Sequence, residues 1–95
     1  MNISRLGQRT VDSNVNMTVP WMLMASYAYY NLSQPLVNDA LYDEWAQRLW
    51  RTWDRVKHRH KHLIIRGRTV CHIMIRYQYP EITKDTAHLL LGKMS

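Results

Sequence analysis

The strongest constraint on the fold is a helical repeat that begins after Asn38. Apolar side chains recur at helical spacing there, at Tyr42, Trp45, Ala46, Leu49, Trp53 and Val56. A stripe of this kind is typical of a helix with one buried face. Asn38 is a favourable N-cap, and Asp39 in the first turn complements the positive end of the helix dipole. We therefore expect a helix over Asn38–Lys57, with its apolar stripe in the core.

A second helix is expected before it, from about Val19 to Asn31. Thr18 can serve as its cap, and Pro20 falls in the first turn, where a missing N–H costs nothing. Both faces of this helix are largely apolar, so it is either buried on all sides or presents a binding surface. Only a short loop containing Pro35 separates the two helices, which should therefore pack side by side and antiparallel.

The rest of the chain is expected to complete a small, mainly α domain. Residues 1–17 are polar and predict a flexible N-terminal arm, so that a single helical domain spans residues 18–95. Alternation of apolar side chains within 70–79 favours a strand, paired with 62–65 as a short β-hairpin, although a helix fits 71–77 almost as well. Thr83 should cap a C-terminal helix that ends at Leu91, with Gly92 as the stop.

Charge is distributed unevenly along the chain. Residues 1–54 contain four arginines and five acids, whereas residues 55–95 contain nine lysines or arginines and two acids. The excess lies in a basic patch made up of Arg55, Lys57, Arg59, Lys61, Arg66 and Arg68. Such a block predicts contact with an anion, either nucleic acid, a nucleotide phosphate or an acidic protein, or else a solvated surface. If it binds nucleic acid, Trp50, Trp53 and Tyr77 are the expected stacking partners.

Other kinds of site find little support in the sequence. Cys71 is the only cysteine, so it cannot form an intramolecular disulfide, and its apolar surroundings favour a buried thiol over a nucleophile. His58 and His62 lie four residues apart, but flanking cations and the absence of a standard ligand pattern argue against zinc. No apolar run is long enough to cross a bilayer, and no signal peptide pattern begins the chain. We expect a cytoplasmic protein without a metal centre.

Five residues point to a ligand site at the loop between the two helices. Tyr29 and Tyr30 fall in the last turn of the first helix, while Asp39, Tyr42 and Asp43 share one face of the second because of their i, i+3, i+4 spacing. A short loop should bring all five side chains together. Tyrosine faces attract cations and flat rings by roughly 0.5–2 kcal/mol each. Carboxylates accept hydrogen bonds from ribose hydroxyls, so a pyridinium nucleotide suits both groups.

This pattern, Tyr-Tyr followed after eight residues by Asp-x-x-Tyr-Asp, resembles the N-terminal Ia domain of bacterial NAD-dependent DNA ligases. The resemblance extends from about Pro20 to Leu63. It implies a small helical domain that binds the nicotinamide mononucleotide (NMN) half of NAD. Tyr29, Asp39, Tyr42 and Asp43 match positions that contact the nucleotide in that family. Tyr30 stands where the ligases often have a histidine near the phosphate. The His-Pro-Glu-Leu-like segment that closes the family's second helix matches residues 60–63 by spacing and 79–82 by residue type.

The chain lacks the Lys-x-Asp-Gly adenylation motif of ligases. We therefore expect a non-catalytic binding module for NMN or another NAD-derived ligand, with no covalently bound cofactor. A stand-alone domain of this size suggests a bacteriophage source. Two alternatives stay open. One is a phage-encoded interaction protein that inhibits a host defence or nucleic-acid enzyme, indicated by the surplus of Trp, Tyr, Met and Arg, which interfaces favour. The other is a basic nucleic-acid-binding protein.

Overall fold

The computed structural model describes residues 2–67, 73–76 and 78–94, and over these residues the chain is mainly helical. The elements are α1 (Ile3–Ser13), a 3₁₀ turn (Val15–Met17), α2 (Thr18–Leu32), α3 (Asp39–Arg51), a second 3₁₀ turn (Lys61–Leu63), β1 (Ile64–Arg66), β2 (Ile73–Ile75) and α4 (Glu81–Met94). The expected fold class, mainly α with a helical hairpin and a C-terminal helix, is confirmed. None of the helices in the described part of the chain has both the length and the apolarity that a bilayer crossing requires.

The hairpin of α2 and α3 forms much as its local signals predict. The Asn38 side chain caps α3 by accepting a hydrogen bond of 2.8 Å from the backbone N–H of Leu41. Thr18 is not a cap, because α2 already includes it and its hydroxyl donates to the carbonyl of Val15 at 2.7 Å. A 3₁₀ turn precedes α2, and Thr18 is fully buried. Its hydroxyl therefore forms its hydrogen bond with this turn and not with the first N–H groups of α2.

Helix α3 is shorter than predicted, because it ends at Arg51 and not near Lys57. The next residue, Thr52, turns its hydroxyl back onto the carbonyl of Arg48 at 2.7 Å and leaves the helical conformation. The chain then proceeds through turns that still bury Val56 completely. Trp53, expected in the core stripe, therefore lies beyond the helix and is only partly buried.

The predicted flexible arm is wrong, since residues 3–13 form helix α1 and dock on the core. Its buried residues are Ile3, Gly7 and Val11, spaced four apart. A Cβ added at Gly7 would lie 2.9 Å from ring atoms of both Trp21 and Trp45, so the glycine permits close helix packing. These two indoles meet edge to face at 5.9 Å in the centre of the core. The folded domain thus begins near residue 2 and not at residue 18.

The β-hairpin and the last helix complete the domain. Strands β1 and β2 pair antiparallel, with Ile64 opposite Ile75 and Arg66 opposite Ile73, as the alternation predicts. Helix α4 packs along α2. It begins at Glu81, two residues before the expected cap at Thr83, and continues through Gly92, the expected stop. A glycine ends a helix only where the backbone turns left-handed, and Gly92 keeps a negative φ. Cys71 and Tyr77 lie outside the described residues.

Candidate functional site

The five residues singled out by spacing all line one cleft at the loop end of the α2–α3 hairpin. The cleft has a volume of about 330 Å³. Its walls are formed by Ala25, Ser26, Tyr29, Tyr30, Pro35, Leu36, Val37, Asp39, Tyr42 and Asp43. This volume lies at the lower end of the range of roughly 300–1,000 Å³ found for small-molecule sites.

The loop between the helices fixes the shape of the cleft. Helix α2 ends at Ser33, which adopts the left-handed conformation with φ of 53°. The backbone N–H groups of Ser33 and Gln34 both donate to the carbonyl of Ala28, which closes the end of the helix. The chain can then turn back so that Leu36 and Val37 are buried. These two apolar anchors hold the loop against the hairpin and place Pro35 on the wall of the cleft.

Two of the three tyrosines form an exposed rim. The side chains of Tyr29 and Tyr30 are 54% and 60% exposed, and their rings meet edge to face at 4.9 Å. Tyr42 is half-buried and packs against the core from the first turns of α3. A flat ring entering the cleft would therefore find aromatic surface both at the rim and deeper in the wall. That arrangement favours stacking, and it favours cations over anions.

The polar floor of the cleft was not anticipated from the sequence. The hydroxyl of Ser26 lies 2.9 Å from the hydroxyl of Tyr79, and both residues are buried. Tyr79 also packs edge to face on Tyr27, whose hydroxyl is 3.0 Å from Nε2 of His88 on α4. Ser26 precedes Tyr29 by three residues, so helical spacing alone would have identified it. No local signal exists for Tyr79, because 53 residues separate the two partners.

The charged groups of the cleft are all acidic. Asp39 and Asp43 are exposed carboxylates in the first turns of α3, and no lysine, arginine or histidine belongs to the lining residues. The ends of the two helices offset each other here, since α2 presents its negative C-terminal end and α3 its positive N-terminal end. The two carboxylates therefore set the sign of the local potential.

The basic patch lies at the other end of the hairpin. Its exposed members Arg55, Lys57 and Arg59 form no salt bridge with any part of the chain that the structure describes. The backbone N–H of Lys57 donates to the side chain of Asn16 at 2.7 Å, just before α2 begins. Arg68 lies outside the described residues. The patch is thus far from the tyrosines, which lie where α2 ends.

Two members of the patch cover the tryptophans that were expected to stack on bases. Lys61 donates to the carbonyl of Trp53 at 2.6 Å and lies 4.6 Å above its ring. Arg66 lies 4.1 Å above the ring of Trp50 and donates to the carbonyl of the same residue. One face of each indole is therefore occupied by a cation from the chain itself. This end of the molecule offers positive charge more readily than open aromatic surface.

The histidines that alternate with the basic patch are His58, His60 and His62. They do not form a metal site, since no group of three or more potential ligands occurs in the described part of the chain. The rings of His58 and His60 lie 5.4 Å apart. Burial lowers the pKa of His58, and the charges of His60 and Arg59 lower it further. The pKa of His60 is lowered by burial first, then by Arg59 and His62. Both shifts favour the neutral form of the imidazole.

Several residues that suggested a protein interface belong to the core. Trp21, Trp45, Met22 and Met24 are all buried in the core. They stabilise the fold and are not available to a partner. The surplus of these residue types in the sequence is thus explained in part by packing within the chain.

Comparisons with known proteins add no relative. No protein-family model, no curated protein and no solved structure matches this chain. The resemblance to the ligase Ia domain therefore rests on the residues of the hairpin and stays a prediction.

Proposed function

We propose that this chain is a non-catalytic binding module for a nicotinamide nucleotide or a related NAD-derived molecule. The observation that carries the proposal is the convergence of Tyr29, Tyr30, Asp39, Tyr42 and Asp43 on a single open cleft of about 330 Å³. These are the residues by which the hairpin resembles the NMN-binding domain of NAD-dependent ligases. Their meeting in one place is what a binding role requires.

The chemistry of the cleft supports the same class of ligand. Aromatic faces at the rim attract a pyridinium ring, which is both flat and positively charged. The carboxylates of Asp39 and Asp43 are exposed acceptors in the first turns of α3, within reach of hydroxyls on an attached ribose. A charge-assisted hydrogen bond to a carboxylate is about twice as strong as a neutral one. Ring and sugar are thus recognised by different walls of one cleft.

Calorimetry on the folded chain tests the proposal directly. NMN, NAD and nicotinamide riboside are titrated in turn, and we expect saturable heat with at least one of them. Absence of heat with all three at millimolar concentration, on protein whose circular dichroism is helical, would end the proposal.

A matched pair of variants separates binding from folding. Tyr29 is exposed, so Tyr29→Ala should leave the fold intact and remove one stacking face. We expect it to weaken binding by about 1 kcal/mol, or roughly fivefold. Tyr29→Phe retains the ring and should bind nearly as well as the natural chain. Equal affinity for Tyr29→Ala and Tyr29→Phe would mean that the ligand does not stack on this residue.

A second candidate function is nucleic-acid binding at the basic patch. The specific observation in its favour is that Arg55, Lys57 and Arg59 are exposed and unpaired by acids within the described residues. Contacts to phosphates need only such charges, and they make affinity fall steeply with salt. Fluorescence anisotropy with a labelled single strand should detect a complex at 50 mM salt or below. A flat signal under those conditions would remove this candidate.

A further inference from the structure

The cleft lacks any positive charge that could receive a phosphate. Among its ten lining residues, Asp39 and Asp43 carry the acidic side chains, and none is a lysine, arginine or histidine. Tyr30, at the position where the resemblance would place a histidine, has a phenol side chain that cannot become cationic. It stands at the rim with its ring against Tyr29. The local potential therefore favours cationic ligands and opposes anionic ones.

The basic patch and the basic side chain within α3 are poorly placed to compensate. Helix α3 has 13 residues, so about 18 Å separates the Cα atoms of Asp39 and Arg51 at 1.5 Å per residue. The basic patch begins only beyond that point. Arg48, within the helix, is held by Asp12 at 2.6 Å and by Glu44 at 3.8 Å. Over the separation of about 18 Å between Asp39 and the end of α3, salt screens most of the attraction that an exposed cation would provide.

Adding a phosphate to a pyridinium nucleoside changes its net charge at pH 7 from about +1 to between about −0.5 and −1. A phosphate monoester carries about −1.5 to −2 at pH 7. In a bound nucleotide this group lies one ester linkage beyond the ribose that Asp39 and Asp43 would hold. Repulsion between the phosphate and two carboxylates then opposes binding, whereas the pyridinium ring alone is attracted to them.

We propose that the cleft selects the cationic nucleoside, nicotinamide riboside, over the phosphorylated mononucleotide. This inference rests on the proposed function, because it concerns the ligand class of the same cleft. Tyr29 and Tyr42 provide aromatic surface for the ring. The two carboxylates attract its positive charge and accept hydrogen bonds from the ribose hydroxyls. The preference expected from these charges is about tenfold in the dissociation constant at low salt.

The test is a calorimetric titration of the full chain with nicotinamide riboside, with NMN and with reduced nicotinamide riboside, whose ring is neutral. We expect the oxidised riboside to bind about tenfold tighter than either of the others. The gap should narrow in 0.5 M NaCl, because salt screens exposed charges. Equal or tighter binding of NMN would overturn the inference and leave the proposed function standing. Equal binding of the two ribosides would overturn the charge argument. Binding of none of the three would remove the proposed function itself.

Charge variants make the test specific to the cleft. Asp43→Asn removes one charge from an exposed position and should weaken the oxidised riboside about fivefold, whereas NMN should bind no more weakly because repulsion of its phosphate is relieved. Asp54→Asn removes the same charge from an exposed position just beyond the other end of α3 and is the matched control, expected to change the affinity for neither ligand. Equal losses from both variants would contradict a local role for the carboxylate.

Tyr30→Arg supplies the missing cation at the rim of the cleft. We expect it to abolish the preference by tightening NMN binding, while the riboside is weakened. If Tyr30→Arg binds both ligands as the natural chain does, the phosphate does not lie near this rim and the proposed orientation is wrong. Helical circular dichroism of each variant confirms that the comparison is made on folded protein.

Discussion

The two ends of the α2–α3 hairpin differ in both charge and shape. Where α2 ends and α3 begins, tyrosines and two carboxylates surround a cleft. Where α3 ends and α2 begins, the chain exposes Arg55, Lys57 and Arg59 without acidic partners in the described residues, and the nearby indoles are covered by cations. One end is concave, aromatic and acidic, whereas the other is charged and basic. A single helix pair thus separates two surfaces that suit opposite ligands.

The separation has a simple physical basis. Helix α3 is about 18 Å long from first to last Cα, which exceeds the Debye length of roughly 8 Å at physiological salt. Each end therefore sets its own potential with little influence from the other. Both ends, however, are held in place by the same central packing of α1 on Trp21 and Trp45. Variants in the centre should affect both surfaces together, and variants at one end should affect only that end.

The largest effect is expected from Trp45→Ala, in the centre. The Trp45 side chain is 1% exposed and packs against both Trp21 and Gly7. Its removal should lower the free energy of unfolding by about 3–5 kcal/mol, enough to disorder both ends of the hairpin. Urea denaturation measures the loss. Trp53→Ala is the control, because its partly buried ring should cost less. A larger loss of unfolding free energy for Trp53→Ala than for Trp45→Ala would contradict a core centred on Trp45.

A smaller effect is expected at the basic end alone. In Arg55→Gln/Arg59→Gln two phosphate contacts are lost. The negative slope of log K against log salt for a single strand should therefore become shallower by about 1.4. Anisotropy titrations at several salt concentrations measure this slope. Arg5→Gln/Arg9→Gln removes two exposed charges from α1 and should leave the slope unchanged. Neither pair should alter the affinity of the cleft for nicotinamide riboside, and a change there would break the separation of the two ends.

At the cleft end, Ser33→Gly should stabilise the fold slightly. Ser33 is held at a positive φ, which glycine adopts without the steric cost that other residues incur. The gain, about 0.5 kcal/mol, is limited because glycine also loses more entropy on folding. The midpoint of urea unfolding should rise for Ser33→Gly and should not rise for Ser33→Ala. A rise for both would mean that the loop conformation is not what limits stability here.

The smallest effect concerns pH at the basic end. The pKa values of His58 and His60 are lowered in the folded chain, so the unfolded state takes up protons first as pH falls below about 6.5. Stability should therefore be highest above that pH and decline below it. Protonation of His58 Nδ1 would also break the hydrogen bond of 3.1 Å that it accepts from the backbone of His60. Urea midpoints between pH 7.5 and 5.5 test this, and His58→Gln/His60→Gln should flatten the dependence.

Local signals explain which parts of the fold could be predicted from the sequence. The start of α3 depends on Asn38 capping a nearby N–H, and the convergence of the cleft residues depends on helical spacing on either side of a short loop. Both are decided within about twenty residues of chain. The pairing of β1 with β2 was likewise visible as alternation.

The parts that could not be predicted depend on contacts distant in sequence. Helix α1 does not stand out in the sequence because its buried face consists of Ile3, Gly7 and Val11, and a glycine cannot be recognised as a core residue until its neighbours are known. The end of α3 is not visible in the sequence because apolar residues continue at helical spacing beyond Thr52, although the backbone is no longer helical there. The cations that cover the indoles near the basic patch come from residues up to 16 positions away in sequence.

The pairing of Ser26 with Tyr79 has a consequence for any attempt to move this cleft into another protein. The stretch that resembles the ligase domain stops near Leu63, yet one hydroxyl beneath the cleft is satisfied from beyond that limit. A graft of the hairpin alone would leave a polar oxygen in an apolar setting, at a penalty of about 1–3 kcal/mol. The smallest unit that can be transplanted must therefore include the C-terminal segment as well. The stretch that carries the recognisable motif is shorter than the stretch that could fold on its own.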